Sequence, residues 1–395
     1  MSKRPPLPGP RPRLPRNVWV LGIVSLLMDL SSEIYHALLP AFLTITLGLP
    51  VAAMGAIDGI SEATANMAKL VSGRLSDKSR RRKPLILLGY GLAALSKPLF
   101  PIASGAVPIL GARFADRIGK GIRGAPRDAM IADETAPEAR GRAYGLRQSL
   151  DTVGAFLAPI AAIGLMSWFA GDIRSVFWVA TIPAMLSFLV AWLALRERRD
   201  RAPIDPTIKL AGFRDIAPAT RRLILVGFIF TLAGFSEGFL ILRALDIGVS
   251  ATLSPLVLVA FNLAFGLFAY PAGALADRIG TRGLLLAGIA LLIAADVLLA
   301  QPIGLVGLTI GCLLWGGHMA LTQGLFAKLI ADSAPDHLRA TSFGAFYFAS
   351  GIATLLASLA AGLIWDRDGA SATFLTAAAV AAIAGTMLIL LPKRD

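Results

Sequence analysis

Residues 273–282 read GALADRIGTR, and residues 73–82 read GRLSDKSRRR, at a spacing of 200 residues. Each stretch joins a long apolar segment to a short basic break. Two further pairs repeat at nearly the same offset: IADETAPEARGRAYG at 131–145 corresponds to IADSAPDHLRATSFG at 330–344, and Ser32–Glu33 corresponds to Ser236–Glu237. Three matches in the same order indicate a chain built from two similar halves.

The composition indicates a membrane protein. Of the 395 residues, 56% are hydrophobic and 16% are charged, whereas a soluble domain is about a quarter charged. A spanning helix needs about 20 mostly apolar residues, so the chain has room for about twelve of them with short connections. We therefore predict an all-α membrane protein with about 12 transmembrane helices in two six-helix, pseudo-symmetric bundles.

The breaks between apolar stretches divide the chain. We predict a disordered cytoplasmic tail at 1–17, an N-terminal six-helix bundle at 18–197, a cytoplasmic linker at 198–220 and a C-terminal six-helix bundle at 221–395. The predicted spans are 18–47, 51–76, 84–104, 106–132, 141–169, 175–197, 221–247, 252–277, 281–301, 303–331, 338–364 and 370–392.

Basic residues are unevenly distributed among these breaks. The net charge is +13, and Lys and Arg cluster at 78–83 and 278–282 but are absent from 48–51 and 248–251. This alternation follows the positive-inside rule and predicts that both termini are cytoplasmic. No stacking aromatics accompany the basic runs, so we expect no nucleic-acid partner. The excess of Arg over Lys and the lack of an evident eukaryotic targeting segment favour a bacterial inner membrane.

Several other kinds of site are not expected. Cys312 is the single cysteine, which excludes an intrachain disulfide and a cysteine metal cluster. The sequence contains no phosphate-binding P-loop and no His/Cys/Asp cluster with metal-ligand spacing. We therefore expect no cofactor, no metal and no enzymatic activity, and we expect a monomer whose partners are the lipid bilayer, a small-molecule solute and protons.

The duplicated loop resembles a motif of the major facilitator superfamily. That family carries G-x-L-a-D-R-x-G-R-[RK] between its second and third helices; residues 273–282 match it closely, and the first copy has Arg80 where a glycine is expected. The resemblance covers the whole chain after the tail. It implies two six-helix bundles that transport a small solute by alternating access.

The motif also predicts a conformational latch. Its glycine permits close helix approach, and its aspartate sits at a helix end where an arginine or a helix N-terminus can pair with it. The alternative is that these residues only set the topology. The latch candidates are Gly73, Asp77, Lys78, Arg127, Asp128, Arg147, Asp151, Gly273, Asp277 and Arg278.

The fourth predicted span carries a stripe of cations. Arg113, Arg117, Lys120 and Arg123 recur at three- and four-residue intervals, so they share one helical face. Such charges are tolerated in a membrane only beside water or opposing charges. Arg117, Lys120 and Gly121 also resemble the family's R-x-x-q-G pattern. We predict that this stripe binds an anionic group of the solute, unless the segment is a cytoplasmic amphipathic helix.

Polar residues in the C-terminal spans are further candidates to line the pathway. They are Asn262, His318 and Gln323.

Carboxylates lie near the middle of several predicted spans. Asp29, Glu33, Glu62 and Glu237 are our candidates for proton coupling. Burial disfavours an ionised carboxylate and a nearby cation favours it, so a carboxylate between these influences can bind and release a proton. The alternative is a permanent structural ion pair, for example between Glu33 and Arg117.

The fifth span bears on the direction of transport. Gly145, Gly154 and Pro159 match the glycine-rich pattern of the family's proton-coupled exporters, but Ile163 stands where a glycine belongs. The sequence therefore predicts a secondary active, proton-coupled transporter of a small organic solute, with a partial signature of export. The alternative is a membrane sensor or assembly factor that uses the same fold without transporting.

Overall fold

The chain was analysed as a computed structural model, which describes residues 14–79, 81–136, 139–197, 216–279, 281–302, 304–333 and 339–390. The predicted tail before residue 14 and most of the predicted linker lie outside these residues. The part of the chain that the structure describes contains helices and turns and no strand.

The helices follow one another with short connections. In the first half they are α1 (Arg16–Ala41, continued by a π-helical turn, Phe42–Thr46), α2 (Val51–Ser79), α3 (Lys83–Ser96), α4 (Leu99–Ile102), α5 (Ala106–Glu134), α6 (Arg140–Trp168) and α7 (Ile173–Ala194). In the second half they are α8 (Pro218–Ala233), α9 (Gly238–Asp246), α10 (Leu256–Ile279), α11 (Thr281–Leu299), α12 (Leu305–Ser333) and α13 (Arg339–Leu390).

One of the predicted spans differs from the structure. The predicted span 221–247 is interrupted, because Gly234 adopts an extended conformation and the chain resumes as α9 at Gly238. Glu237, which we placed near the middle of a helix, instead precedes the first residue of α9. The predicted division between the spans 338–364 and 370–392 coincides with a kink inside α13, where Gly369 is non-helical, with φ at +84°, and separates two helices.

Eight segments among the described residues are long and apolar enough to cross a membrane. They are Arg16–Thr46, Lys83–Ile102, Arg142–Trp168, Ile173–Ala194, Pro218–Asp246, Thr281–Leu299, Leu305–Thr322 and Ala345–Leu390. The charged helices α2 and α5 are not among them. Nevertheless α5 packs between α2 and α3, and its Arg113 and Arg117 are buried.

Glycines allow α5 to lie inside the helix assembly. A Cβ at Gly119 would lie 2.6 Å from the backbone oxygen of Gly89 on α3, and one at Gly121 would lie 2.7 Å from that of Ala65 on α2. Only a residue without a side chain fits such approaches. The position of α5 argues against the alternative of a separate amphipathic helix on the surface.

The halves meet along a few helix pairs. The main contacts between them join α2 to α13, α1 to α9 and α6 to α10. The first two pairs approach at the end opposite the basic breaks, where Gly238 contacts Met54 and Pro40. The site described below lies toward the other end.

Aspartates cap two helices at the end of the protein opposite the basic breaks. The Asp172 carboxylate accepts hydrogen bonds from the backbone N–H groups of Arg174 and Ser175 at the start of α7. The Ser175 hydroxyl also donates to Asp172, and this hydrogen bond is the main reason why the pKa of Asp172 lies below its usual value. The Asp366 carboxylate of α13 caps α2 from the other half.

We expect Asp366→Ala to lower the stability of the protein by about 0.5–2 kcal/mol, the usual effect of losing an N-terminal cap. Its two oxygens accept hydrogen bonds from the backbone N–H groups of Val51, at 2.9 Å, and Ala52, at 2.7 Å. Thermal unfolding of the purified protein measures the change. Asp368→Ala is the matched control, because Asp368 is exposed and caps no helix. Equal melting temperatures for both variants would contradict the role of the cap.

Candidate functional site

A cavity of about 560 Å³ lies between α1, α2, α5, α6 and α10. It falls within the size range of small-molecule sites. Its wall brings together several predicted candidates from both halves of the chain. They are Asp29, Glu33, Lys120, Arg123, Arg127, Asp151 and Asn262.

The cavity lies toward the end of the protein that carries the basic breaks. Its α5 residues, from Lys120 to Arg127, begin at the middle of that helix and extend toward its end, and its α6 residues, from Gln148 to Leu157, lie in the first half and the middle of that helix. Both helix ends lead to the connection at 135–139. The opposite end is closed by the contacts of α2 with α13 and of α1 with α9.

Opposite charges without partners face this cavity. Asp29 and Lys120 are half-buried, and neither makes a hydrogen bond or an ion pair with another residue that the structure describes. They are close enough to interact electrostatically, as are Glu33 and Lys120. Charged groups this deep in a protein are costly unless a partner or water compensates them. The site is therefore suited to a charged ligand.

Arg123 is another cation of the wall, which also includes Lys69, Lys120 and Arg127. Its guanidinium stacks on the Tyr90 ring at 4.7 Å from the ring centroid. Its Nη1 atom is buried without a hydrogen-bond partner among the described atoms. A carboxylate or a phosphate group accepts a strong hydrogen bond from such an unpaired guanidinium N–H.

Two cations of the predicted stripe are already neutralised. Arg113 donates to Asp58 at 2.7 Å, and Arg117 lies 3.1 Å from Glu62. Asp58 also accepts a hydrogen bond from Ser236, at 2.7 Å, and so links α2 to the interrupted segment between α8 and α9. The pairing Glu33–Arg117, offered as a structural alternative, is not the one observed, since Glu33 lies 3.3 Å from His36.

A buried ion pair that we did not single out from the sequence lies beside this stripe. Lys97 Nζ is 3.0 Å from Asp116, donates to Ser32 Oγ at 3.0 Å, and lies 5.0 Å from the centroid of the Tyr35 ring. Lys97 is 1% exposed, so the pair is closed to solvent. The available signal was a lone lysine at the end of an apolar run, directly before Pro98.

Two other candidates do not line the cavity. Glu237 lies in the break before α9. His318 is buried between the Trp315 and Phe230 rings, at 5.5 and 5.8 Å between centroids. The side chain of Gln323 lies outside the part of the protein that the structure describes.

The predicted latch can be followed only in part. The latch candidates in the two copies of the loop motif lie outside the side chains that the structure describes. These candidates are Gly73, Asp77, Lys78, Gly273, Asp277 and Arg278. Of the others, Arg127 pairs with Asp128 at 3.1 Å and donates to Ser25 of α1 at 3.0 Å. Arg147 and Asp151 pair within α6, at 2.5 Å.

Comparison with known proteins identifies the family. The Major Facilitator Superfamily model matches residues 21–245 and 223–395. The chain belongs to the major facilitator superfamily. The resemblance that the sequence motifs indicated is thus confirmed. Together with the apolar helices, membership shows that the chain is an integral membrane protein of a family of transporters rather than enzymes.

The relatives extend over nearly the whole chain. An uncharacterized MFS-type transporter of Methanocaldococcus jannaschii is 30% identical over 382 residues, which cover 95% of each protein. A protein of Cupriavidus pinatubonensis named "Probable 4-methylmuconolactone transporter" is 26% identical and matches 85% of this chain and 80% of its own. The solved structure of the nucleoside transporter NupG is 14% identical, with a TM-score of 0.79 over 95% of this chain and 100% of that one, which shows a common fold.

Proposed function

We propose that this protein is a secondary active transporter that moves a small organic solute by alternating access and couples its movement to protons. The observation that carries the proposal is the cavity between the halves, whose wall holds Asp29 and Lys120, neither of them in a hydrogen bond or ion pair with another described residue. The transporter relatives support the same reading.

We extend the proposal to the topology. The charged helices α2 and α5 and the helix α10, whose apolar part is Leu256–Ala269, supplement the eight apolar segments. Counting α13 as two, they support twelve spans in two six-helix bundles. The basic breaks support cytoplasmic termini in a bacterial inner membrane.

The coupling is proposed to use the carboxylates of α1. A nearby cation favours the ionised form of a carboxylate. When an anionic solute pairs with Lys120, the cation no longer stabilises Asp29 and Glu33 to the same extent. Proton binding and solute binding are then linked through one lysine.

The solute is proposed to carry an anionic group. Lys69, Lys120 and the unused donor of Arg123 are cations of the cavity wall that can bind it. Asn262 of α10 adds a neutral hydrogen-bonding group from the other half. The partial glycine pattern of α6 supports export as the direction of transport.

We expect Asp29→Asn to lower solute-driven proton flux by at least about ten-fold, which corresponds to about 1.4 kcal/mol of lost coupling. Glu33→Gln is expected to act in the same direction, because both carboxylates line the cavity. Proteoliposomes containing a pH-sensitive dye measure the flux against a panel of organic anions. Asp368→Asn is the matched control, since Asp368 is exposed and distant from the cavity in sequence.

If Asp29→Asn and Glu33→Gln left the solute-driven proton flux unchanged, this would contradict proton coupling by the carboxylates of α1. If no solute moved protons, the alternative of a sensor or assembly factor would gain support. Deletion of residues 1–15 separates these cases further, because a carrier is expected to keep its activity without the tail.

A further inference from the structure

One wall of the cavity is apolar and reaches the outer surface of the helix assembly. Val153 and Leu157 of α6 and Leu263 and Leu267 of α10 line the cavity. Their exposed fractions lie between 44% and 61%. We call the gap between these residues the α6–α10 seam.

The helix periodicity places each pair of seam residues on one face of its helix. Val153 and Leu157 are four residues apart, as are Leu263 and Leu267, so each pair occupies one helical face. Other faces of the two helices pack inward: a Cβ at Gly154 of α6 would lie 2.6 Å from the backbone oxygen of Leu26, and Ala264 of α10 contacts Gly316. In a membrane protein, outward-facing apolar side chains on these helices meet lipid.

Other parts of the cavity wall are charged. Lys120 and Arg123 come from α5, and Asp29 comes from α1. The cavity therefore joins a membrane-facing apolar opening to a cationic interior. A water-soluble anion would use the charged wall alone, whereas an amphiphile would use both.

We propose that the solute is a single-chain amphiphile with an anionic headgroup, which reaches the cavity laterally through the α6–α10 seam. This inference rests on the transporter proposed above and names its substrate class. The headgroup binds at Lys120 and Arg123, and the chain lies along Val153, Leu157, Leu263 and Leu267.

Gly266 offers a way to close the seam without disturbing the charged wall. It lines the cavity on α10, and a Cβ at this position would meet nothing within 4 Å. Gly266→Trp therefore fills open space, and Gly266→Leu fills less of it. Gly164→Trp is the matched control, because Gly164 of α6 is equally uncrowded and does not line the cavity.

The test measures binding of dodecyl phosphate and ethyl phosphate to the full-length protein in nanodiscs, by equilibrium dialysis corrected for empty nanodiscs. We expect dodecyl phosphate to bind at least about ten-fold more tightly, because its chain is buried in the seam. Gly266→Trp is expected to weaken dodecyl phosphate binding by about ten-fold and to leave ethyl phosphate binding nearly unchanged. Gly266→Leu is expected to have the same effect to a smaller extent. Lys120→Gln is expected to weaken both.

Equal affinities of the two phosphates, or equal losses of both in Gly266→Trp, would overturn the inference. Melting temperatures verify that each variant is folded. Flux in proteoliposomes separates this inference from the proposed function. Proton-linked flux of ethyl phosphate without any effect of chain length would overturn the amphiphile and retain the transporter. Binding with the expected pattern but no flux would overturn the transporter and retain the ligand class.

Discussion

Lys97→Met is expected to destabilise the protein by about 3–5 kcal/mol, the usual effect of removing one partner of a buried ion pair. The variant leaves the Asp116 carboxylate, 2% exposed, without its cation. It also removes the hydrogen bond to Ser32 and the contact with the Tyr35 ring. Since these partners belong to α1 and α5, the loss is expected to loosen the packing of three helices.

The double variant Lys97→Met/Asp116→Asn is expected to recover much of the loss, because it no longer buries an unpaired charge. Unfolding in a denaturing detergent, followed by circular dichroism, gives the differences in free energy. The exposed pair Arg367–Asp368 is the matched control; neutralising it is expected to change stability by less than about 1 kcal/mol. If Lys97→Met were no more destabilising than Arg367→Gln, Lys97 would not hold these helices together.

The family and the cationic wall could be predicted from the sequence because both depend on local patterns. The loop motif repeats at 73 and 273 irrespective of how the helices pack. The three- and four-residue spacing of Lys120 and Arg123 places them on one helical face in any α-helix. The structure brings both to the same cavity.

Partners across helices could not be predicted, because they depend on the rotation and tilt of whole helices. Arg117 lies beside Glu62 of α2, whereas Glu33 of α1, an equally plausible partner by sequence, lies beside His36. Lys97 was overlooked for the same reason, since its partner Asp116 is on the next long helix. The exposure of the α6–α10 seam is also a property of packing, because the exposure of Leu267 depends on what covers it.

The interruption before α9 shows a different limit. The segment 221–247 is mostly apolar, and Gly234 is one of three glycines in it, with Gly227 and Gly238. A glycine inside a helix lowers helix stability by about 1 kcal/mol relative to alanine. Tertiary contacts can outweigh this loss or add to it. Here Asp58 binds Ser236, whose Oγ also accepts a hydrogen bond from the backbone N–H of Gly238. The break is thus stabilised by α2, from the other half of the chain.

Gly55→Val is expected to separate the halves at the end opposite the basic breaks. A Cβ at Gly55 of α2 would lie 2.1 Å from the backbone oxygen of Ser358 on α13, and one at Gly362 would lie 2.7 Å from the Cα of Ala52. These atoms belong to the backbone and cannot rotate away. Overpacking costs about 1–3 kcal/mol, which shifts a conformational equilibrium by about 5–150-fold. The variant is therefore expected to favour a state in which α2 and α13 are apart and the opposite end is closed.

Spin labels at Thr46 and Ser250, both exposed at this end on different halves, measure the separation by double electron–electron resonance. Cys312→Ser provides a background without other cysteines, because Cys312 is the single native one. Gly111→Val is the matched control, since a Cβ at Gly111 of α5 meets nothing within 4 Å. We expect a longer distance population in Gly55→Val alone, accompanied by loss of solute-driven flux. An unchanged distance distribution would mean that the contact of α2 with α13 does not close the pathway, and the closing role would then pass to the contact of α1 with α9.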